Sequence, residues 1–207
     1  MFTLTSTMND TLPATFLENL RSATAQSHTN LEALPISTSI MNPAVTNDEY
    51  ALYLALMKDI VKDAEENIFP ALADIVADLP ERNKTHLLEK DLEFLGFTKQ
   101  SVGNNPISSG ITNPSKAFAL GIFYVIEGSS LGGRVILKNI NAVLGHDIEA
   151  GASYFGGYGG QTGSYWKNFL NSLTQYETQT GSADEIIAGA DYAFNAISKH
   201  FTENAPQ

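Results

Sequence analysis

The sequence predicts an all-α, single-domain helical bundle, and three observations predict it. Apolar residues recur every three to four positions in one segment after another, the period of a single helix face. No stretch alternates apolar and polar residues in the manner of a half-buried strand, and no internal repeat is present. The 207 residues, 43% of them hydrophobic, suffice for one well-formed core.

Taken in order, residues 1–13 read as a flexible lead-in ending at Pro13, and 14–207 as the domain. The first helix starts near Thr15, because Phe16, Leu17, Leu20, Thr24, His28 and Leu31 share one face. Thr15 followed by Glu18 has capping-box spacing, and Pro35 closes the helix. "ISTSIMNPAVT" reads as a loop. Thr46 or Asn47 caps the next helix, "DEYALYLALMKDIVKDAEENIFPALADIVADL", which Pro70 kinks or splits because it lacks the N–H that the helix needs. A third amphipathic helix comes after Pro80 in "ERNKTHLLEKDLEFLGF". "TKQSVGNNPISSGITNP" is a long connection, rich in turn residues. A glycine-bearing helix spans Pro114 to Leu144, "GHDIEAGASYFGGYGGQTG" is irregular, and "SYWKNFLNSLTQYETQ" and "SADEIIAGADYAFNAISKHF" are the last two helices.

Composition narrows the chemistry. There are 23 acidic and 12 basic residues, a net charge of -11. Such a chain has no general basic field to hold a phosphate backbone, which argues against nucleic acid. The absence of cysteine removes disulfides, thiolate metal sites and a Cys nucleophile. The first residues carry no basic group before an apolar run, unlike a signal peptide. The longest apolar run, around "AFALGIFYVI", is about half the length of a membrane span. These features predict a cytoplasmic protein with neither nucleic acid nor membrane as partner.

Two features carry functional information. The first is "GIFYVIEGSSLGGRVILKNI" (121–140), patterned as a helix yet interrupted by Gly128, Gly132 and Gly133. Each mid-helix Gly costs roughly 0.5–1 kcal/mol relative to Ala. Gly128 and Gly132, four apart, share a face that presents only backbone. That face suits a broad, flat ligand under a bent helix, or equally a close helix–helix crossing. A P-loop is excluded, since Arg134 follows Gly133 and no strand precedes. The second feature is His28, with Glu32 one turn on. A carboxylate at i+4 can accept Nδ1–H and leave Nε2 as a metal ligand, although a partly buried His–Glu pair has the same spacing. Arg21 lies two turns earlier, about 10 Å along the helix, placed for an anionic group or for solvent. No Glu-x-x-His or His-Glu-x-x-His occurs, which argues against a di-iron bundle and a zincin. One His is too few for zinc but enough for haem, whose macrocycle supplies the other ligands. His86, His146 and His200 fall among charged residues, in a loop and near the C-terminus.

These residues match a known family. "LRSATAQSHTNLEAL" (20–34) resembles the proximal helix of haem oxygenases, and the glycine-bearing segment resembles their distal helix. Its Y-V-x-E-G-S-x-L-G-G form is similar to the bacterial branch that makes biliverdin for bacteriophytochromes, and "YFGGYGGQTGSYWKNFLNSL" (154–173) is similar to that branch's closing segment. The motifs occur in the family's order across residues 20–173.

The resemblance implies a haem-oxygenase-like bundle in which haem, both substrate and cofactor, lies between the proximal helix and a kinked, glycine-rich distal helix. It implies oxidative opening of haem to biliverdin with release of iron and CO. His28 becomes the axial iron ligand, Glu32 its hydrogen-bond partner, and Gly128 and Gly132 the distal glycines. Arg21 and Lys167 fall where the family has basic residues meeting propionates; Tyr165 is placed to reach a propionate and Trp166 to join the core. Ser129 stands where many members carry an Asp that organises water, so Ser129 and Ser130, or Arg134, become the candidates for proton delivery. The absence of a dinucleotide-binding fingerprint implies an external ferredoxin- or reductase-like electron donor, and the branch implies a bacteriophytochrome as biliverdin acceptor. Ser129 also leaves open a non-catalytic haem-storage protein of the same fold.

Overall fold

The structure is a computed structural model that describes residues 15–97 and 105–205. The expected flexible lead-in 1–13 and part of the long connection lie outside the described residues. Eight α-helices are described and no strand: α1 (Phe16–Glu32), α2 (Pro35–Ser39), α3 (Asn47–Asn67), α4 (Thr85–Phe94), α5 (Lys116–Leu144), α6 (Ser153–Gly156), α7 (Thr162–Thr180) and α8 (Ala183–Asn204).

The helix starts agree closely with the sequence pattern. Thr15 and Glu18 form the expected capping box, with Thr15 N–H donating to Glu18 Oε2 at 2.6 Å. Thr46, rather than Asn47, caps α3 in the same way with Glu49. Two expectations are corrected. Pro35 opens α2 instead of merely ending α1, because its fixed φ suits a first helical position where no N–H is needed. Pro70 splits the second helix, as one of its two expected effects, but the part beyond it is not α-helical: α3 ends at Asn67, and the chain continues in two 3-10 turns, Phe69–Leu72 and Leu79–Arg82. The glycine-bearing helix begins at Lys116, two residues after Pro114, and stays helical through all 29 residues to a left-handed Gly145. The glycines therefore do not break it.

α5 and α8 form the centre of the bundle, and they cross where neither has a side chain. A Cβ on Gly121 would stand 2.0 Å from the Ile186 carbonyl oxygen, and one on Gly189 would stand 2.0 Å from that of Phe118. The close helix crossing that glycine spacing suggested is real, but Gly121 and Gly189 make it, not Gly128 and Gly132. Buried Leu120, Ile122, Phe123, Ile186, Ala190 and Ala193 fill in around it. Phe123 meets Phe69 and Phe169 edge-on at 4.9 and 4.8 Å, which joins α5 to the first 3-10 turn and to α7.

α5 is long and apolar enough by composition to cross a membrane, contrary to the expectation from its longest uncharged run. Its apolar residues are instead spent on α8 and the core, and Glu127 sits buried in its middle. α1 lies on the other flank of α8, held by Ser27 Oγ donating to Asp191 at 2.6 Å and by the His28 ring meeting Phe194 edge-on at 5.6 Å.

This packing sets two stability outcomes. Gly121→Ala forces a methyl into backbone and should lower stability by the upper end of about 1–3 kcal/mol, whereas Gly132→Ala, with nothing within 4 Å, should raise it by about 0.5–1 kcal/mol; chemical denaturation measures both. The carboxylates of Glu18 and Glu49 are held below the ordinary range by the backbone N–H and hydroxyl of Thr15 and Thr46. Their caps are fully formed above the unfolded carboxylate pKa and are lost as pH falls through the lower folded value. Amide shifts at Glu18 and Glu49 should therefore report fraying of α1 and α3 only on acidification below the usual carboxylate titration.

Candidate functional site

The site is built from one stripe of α5. At 100° per residue, Gly121, Gly128, Gly132, Val135 and Asn139 fall on the same side of the helix. At Gly121 the stripe is pressed on α8. At its far end, the Asn139 amide donates to the carbonyls of Ile40 and Asn42, just beyond α2. Near its start, Tyr124, one turn before Gly128, lies close to Arg21 of α1: burial raises its pKa, and the Arg21 charge opposes that rise. The segment 21–42 thus approaches α5 near residue 124 and is bonded to it at residue 139.

Between Gly128 and Asn139 the stripe is open. Leu131 and Val135 are 47% and 60% exposed, and a Cβ on Gly132 would meet nothing within 4 Å. His28 stands about 10 Å beyond Arg21 along α1, and Gly132 about 12 Å beyond Tyr124 along α5. The His28 side chain is itself 56% exposed.

The structure brings some of the predicted residues together and separates others. His28 and Glu32 are neighbours, but Glu32 Oε1 lies 3.6 Å from Nε2, not beside Nδ1 as expected. That distance exceeds a hydrogen bond, so the expected Nδ1 pairing is not formed; the exposed ring has room to turn. Gly128 is less bare than its type suggests, because a Cβ there would meet the Trp166 ring at 3.5 Å. Trp166 is correspondingly half-buried: it packs on the edge of the core against Phe169, as expected, and also lies against Tyr124, with ring centroids 5.4 Å apart, beside Gly128. Gly133 packs on the Phe155 carbonyl, away from the stripe. Lys167 lines a groove of about 550 Å³ with Leu17, Leu170 and Asn171, outside the His28–Gly132 opening.

Ser129 and Ser130 are already engaged. Ser129 Oγ donates to the Ile126 carbonyl at 2.7 Å and interacts with Tyr154, whose hydroxyl burial pushes up to about 12. Ser130 Oγ accepts from Lys84 Nζ at 2.6 Å. Arg134 donates to the Gly159 carbonyl. Tyr165 is not directed at an anion. Its ring stacks on Tyr158 at 4.0 Å, lies 5.1 Å from the Arg82 guanidinium, and its carbonyl accepts from Arg82.

Sequence reasoning missed the cluster those contacts belong to. Glu127 and Arg82 are buried and bonded at 2.6 Å. Glu127 also accepts from Lys84 Nζ at 3.2 Å and from the Tyr158 hydroxyl at 2.9 Å. Arg82 spends its remaining N–H groups on both oxygens of Asp78 and on the Tyr165 carbonyl. Burial lowers the Lys84 pKa despite Glu127, and raises that of Tyr158 together with the Glu127 charge. The signal in the sequence was a Glu on an otherwise apolar face, answered by Arg82 and Lys84 some 45 residues away. His200 was also under-read: it is buried, with Nε2 3.5 Å from Asp59. Among the described residues, no three His, Asp or Glu are grouped to hold a metal ion by themselves.

The chain is thus a helical bundle with an exposed imidazole on α1 and a stretch of uncovered, side-chain-free backbone on α5. Residues 14–203 match the Heme oxygenase family model. The haem oxygenase PigA of Pseudomonas aeruginosa is 31% identical over 193 residues, 90% of this chain and 94% of its own. A haem oxygenase of Xanthomonas campestris is 29% identical over 153 residues, 71% of this chain and 85% of its own. The solved haem oxygenase of Neisseria meningitidis, with NO and CO bound, superposes with a TM-score of 0.72 at 24% identity over 92% of both chains. That of Synechocystis, in complex with haem, gives 0.67 at 18% identity, again over 92% of both. The chain belongs to the haem oxygenase family. It is an enzyme that opens haem oxidatively to biliverdin, with haem as both substrate and cofactor and electrons supplied by an external reductase.

Removing the buried carboxylate should be costly. Glu127→Ala leaves Arg82 and Lys84 buried without it and is expected to destabilise the fold by about 3–5 kcal/mol, while Lys167→Ala on the surface should change stability by less than about 0.5 kcal/mol; denaturant midpoints of the two variants test the contrast.

Proposed function

We propose that haem is held in the opening between α1 and α5, with His28 as the axial iron ligand. The observation that supports this reading is the uncovered backbone at Gly132 beside exposed Leu131 and Val135 on α5, together with an exposed His28 on α1. The residues fit the group: Leu131 and Val135 are large apolar side chains left in water, and the space over Gly132 is open. A flat ring would cover all three.

Bound haem supplies the iron at which dioxygen is reduced and the ring that is opened. The chain's own residues bind, orient and shield. A neutral imidazole is the ligand form; Glu32, within one turn of His28, attracts the proton to one ring nitrogen and leaves the other for the metal. Arg21 and Lys167 are the cations for the propionates, by charge-assisted hydrogen bonds. Tyr124, close to Arg21, replaces Tyr165 as the hydroxyl at that end. Gly132 lets backbone approach the ring with no side chain between, so the choice of ring edge is steric. Trp166, Leu131 and Val135 exclude water from the distal side. Ser129 holds its proton on the Ile126 carbonyl and enters the chemistry only by turning from it. The electron donor is ferredoxin- or reductase-like, and a bacteriophytochrome is the biliverdin acceptor that the Y-V-x-E-G-S-x-L-G-G segment favours.

His28→Ala is expected to bind haem without the absorption spectrum of an axial imidazole; a spectrum equal to wild type rejects the ligand. Gly132→Leu places its side chain in open space in the free protein, so its thermal midpoint should hold while biliverdin formation falls by about 10²-fold or more. Undiminished turnover would remove Gly132 from the distal surface.

A further inference from the structure

The open stripe of α5 has a counterpart on the helix's far side. Ser130 lies half a turn round from the midpoint between Gly128 and Gly132. Its hydroxyl accepts from Lys84 Nζ at 2.6 Å, and the same ammonium donates to Glu127 Oε2 at 3.2 Å. One side chain, anchored just before α4, therefore holds two consecutive turns of α5 from behind. Lys84 is itself fixed. It is buried, its Nζ lies 4.3 Å from the Tyr158 ring centroid, and its backbone N–H donates to Glu65, which also accepts from Thr85.

This tie falls where α5 is weakest. Gly128, Gly132 and Gly133 contribute little helix propensity, and the stripe from Gly128 to Val135 has no described residue packed over Gly132. On the open face the Gly121 crossing and the Asn139 bonds hold the stripe at its ends. On the opposite side Glu127 is also held by Arg82 and Tyr158, and Gly133 packs on Phe155. Lys84 joins the Glu127 turn to the Ser130 turn and so ties the helix between those two contacts.

Resting on the reading that haem lies against Gly132, we propose that Lys84 is a positioning residue for ring opening: by bridging Glu127 and Ser130 it sets the rotation of α5, and so which ring edge the bare backbone at Gly132 favours. Lys84 touches neither His28 nor the stripe and acts only through the helix.

The test has two readouts. Hydrogen exchange is measured on the full chain without haem, in Lys84→Met and in Ser130→Ala. Ser130→Ala removes the same bond from the half-buried end, so it serves if Lys84→Met does not fold. Exchange in residues 128–135 should rise by about tenfold or more, with α3 and α8 unchanged. The biliverdin isomer ratio is then measured on the haem-loaded variants with a chemical or enzymatic reductant, and it should shift in both. The double variant should exchange no faster than the faster single one, because Lys84→Met already removes the bond that Ser130→Ala removes. Unchanged exchange in 128–135, or a rise spread equally over α3 and α8, overturns the proposal. So does local loosening with a wild-type isomer ratio. Failure of the haem site itself reads differently: His28→Ala then keeps a wild-type spectrum while the exchange result stands.

Discussion

A methyl group cannot be placed at Gly121 or Gly189 without entering the backbone of the opposite helix. That single crossing fixes how close α5 comes to α8, and the geometry of the opening derives from it. α5 is pressed on α8 at Gly121 and leaves the stripe beyond it uncovered; α1 reaches α8 on another flank through Ser27 and His28. Both helices are docked on a common third, and the segment after α2 is bonded to α5 at Asn139. The site is a consequence of how the bundle packs, with few side chains devoted to making it.

The second constraint is electrostatic. In a chain with only 12 basic residues, two are buried at one place, Arg82 and Lys84. Burying them would be prohibitive without partners. Glu127 and Asp78 supply two negative charges against the two positive ones, and Tyr158, Ser130 and the Tyr165 carbonyl take up further donors and lone pairs. Such a cluster gives modest net stability compared with an apolar core of equal volume. Its yield is directional: it joins α5, α7, the turn before α7 and the 3-10 turn before α4 in one orientation, as apolar contacts do not.

Much of this was legible in the sequence, and the reasons divide by range. Helix starts were readable because a capping box is a contact between residues three apart, as at Thr15–Glu18 and Thr46–Glu49. His28, Arg21 and the glycine segment were readable because period and residue type together marked two faces. The Glu127 cluster was not, since Arg82 lies 45 residues away and nothing local pairs them. Tyr165 was misplaced for the same reason: its partners, Tyr158 and Arg82, come from two other segments. Pro35 and Pro70 were recognised as boundaries, but whether a proline ends a helix or starts a turn depends on which N–H groups find partners in the packed fold.

The glycines of α5 show why residue type alone could not assign the site. Gly121 is needed because another backbone occupies the place of its side chain, and Gly133 because the Phe155 carbonyl does. Gly128 is filled from outside by the Trp166 ring. Gly132 alone among them has neither a described neighbour nor a positive φ to require it. In the free protein an Ala there would strengthen the helix, so the fold supplies no reason for glycine at that position. The haem proposed to lie there would supply one, and it would also cover Leu131 and Val135, which are large, apolar and exposed.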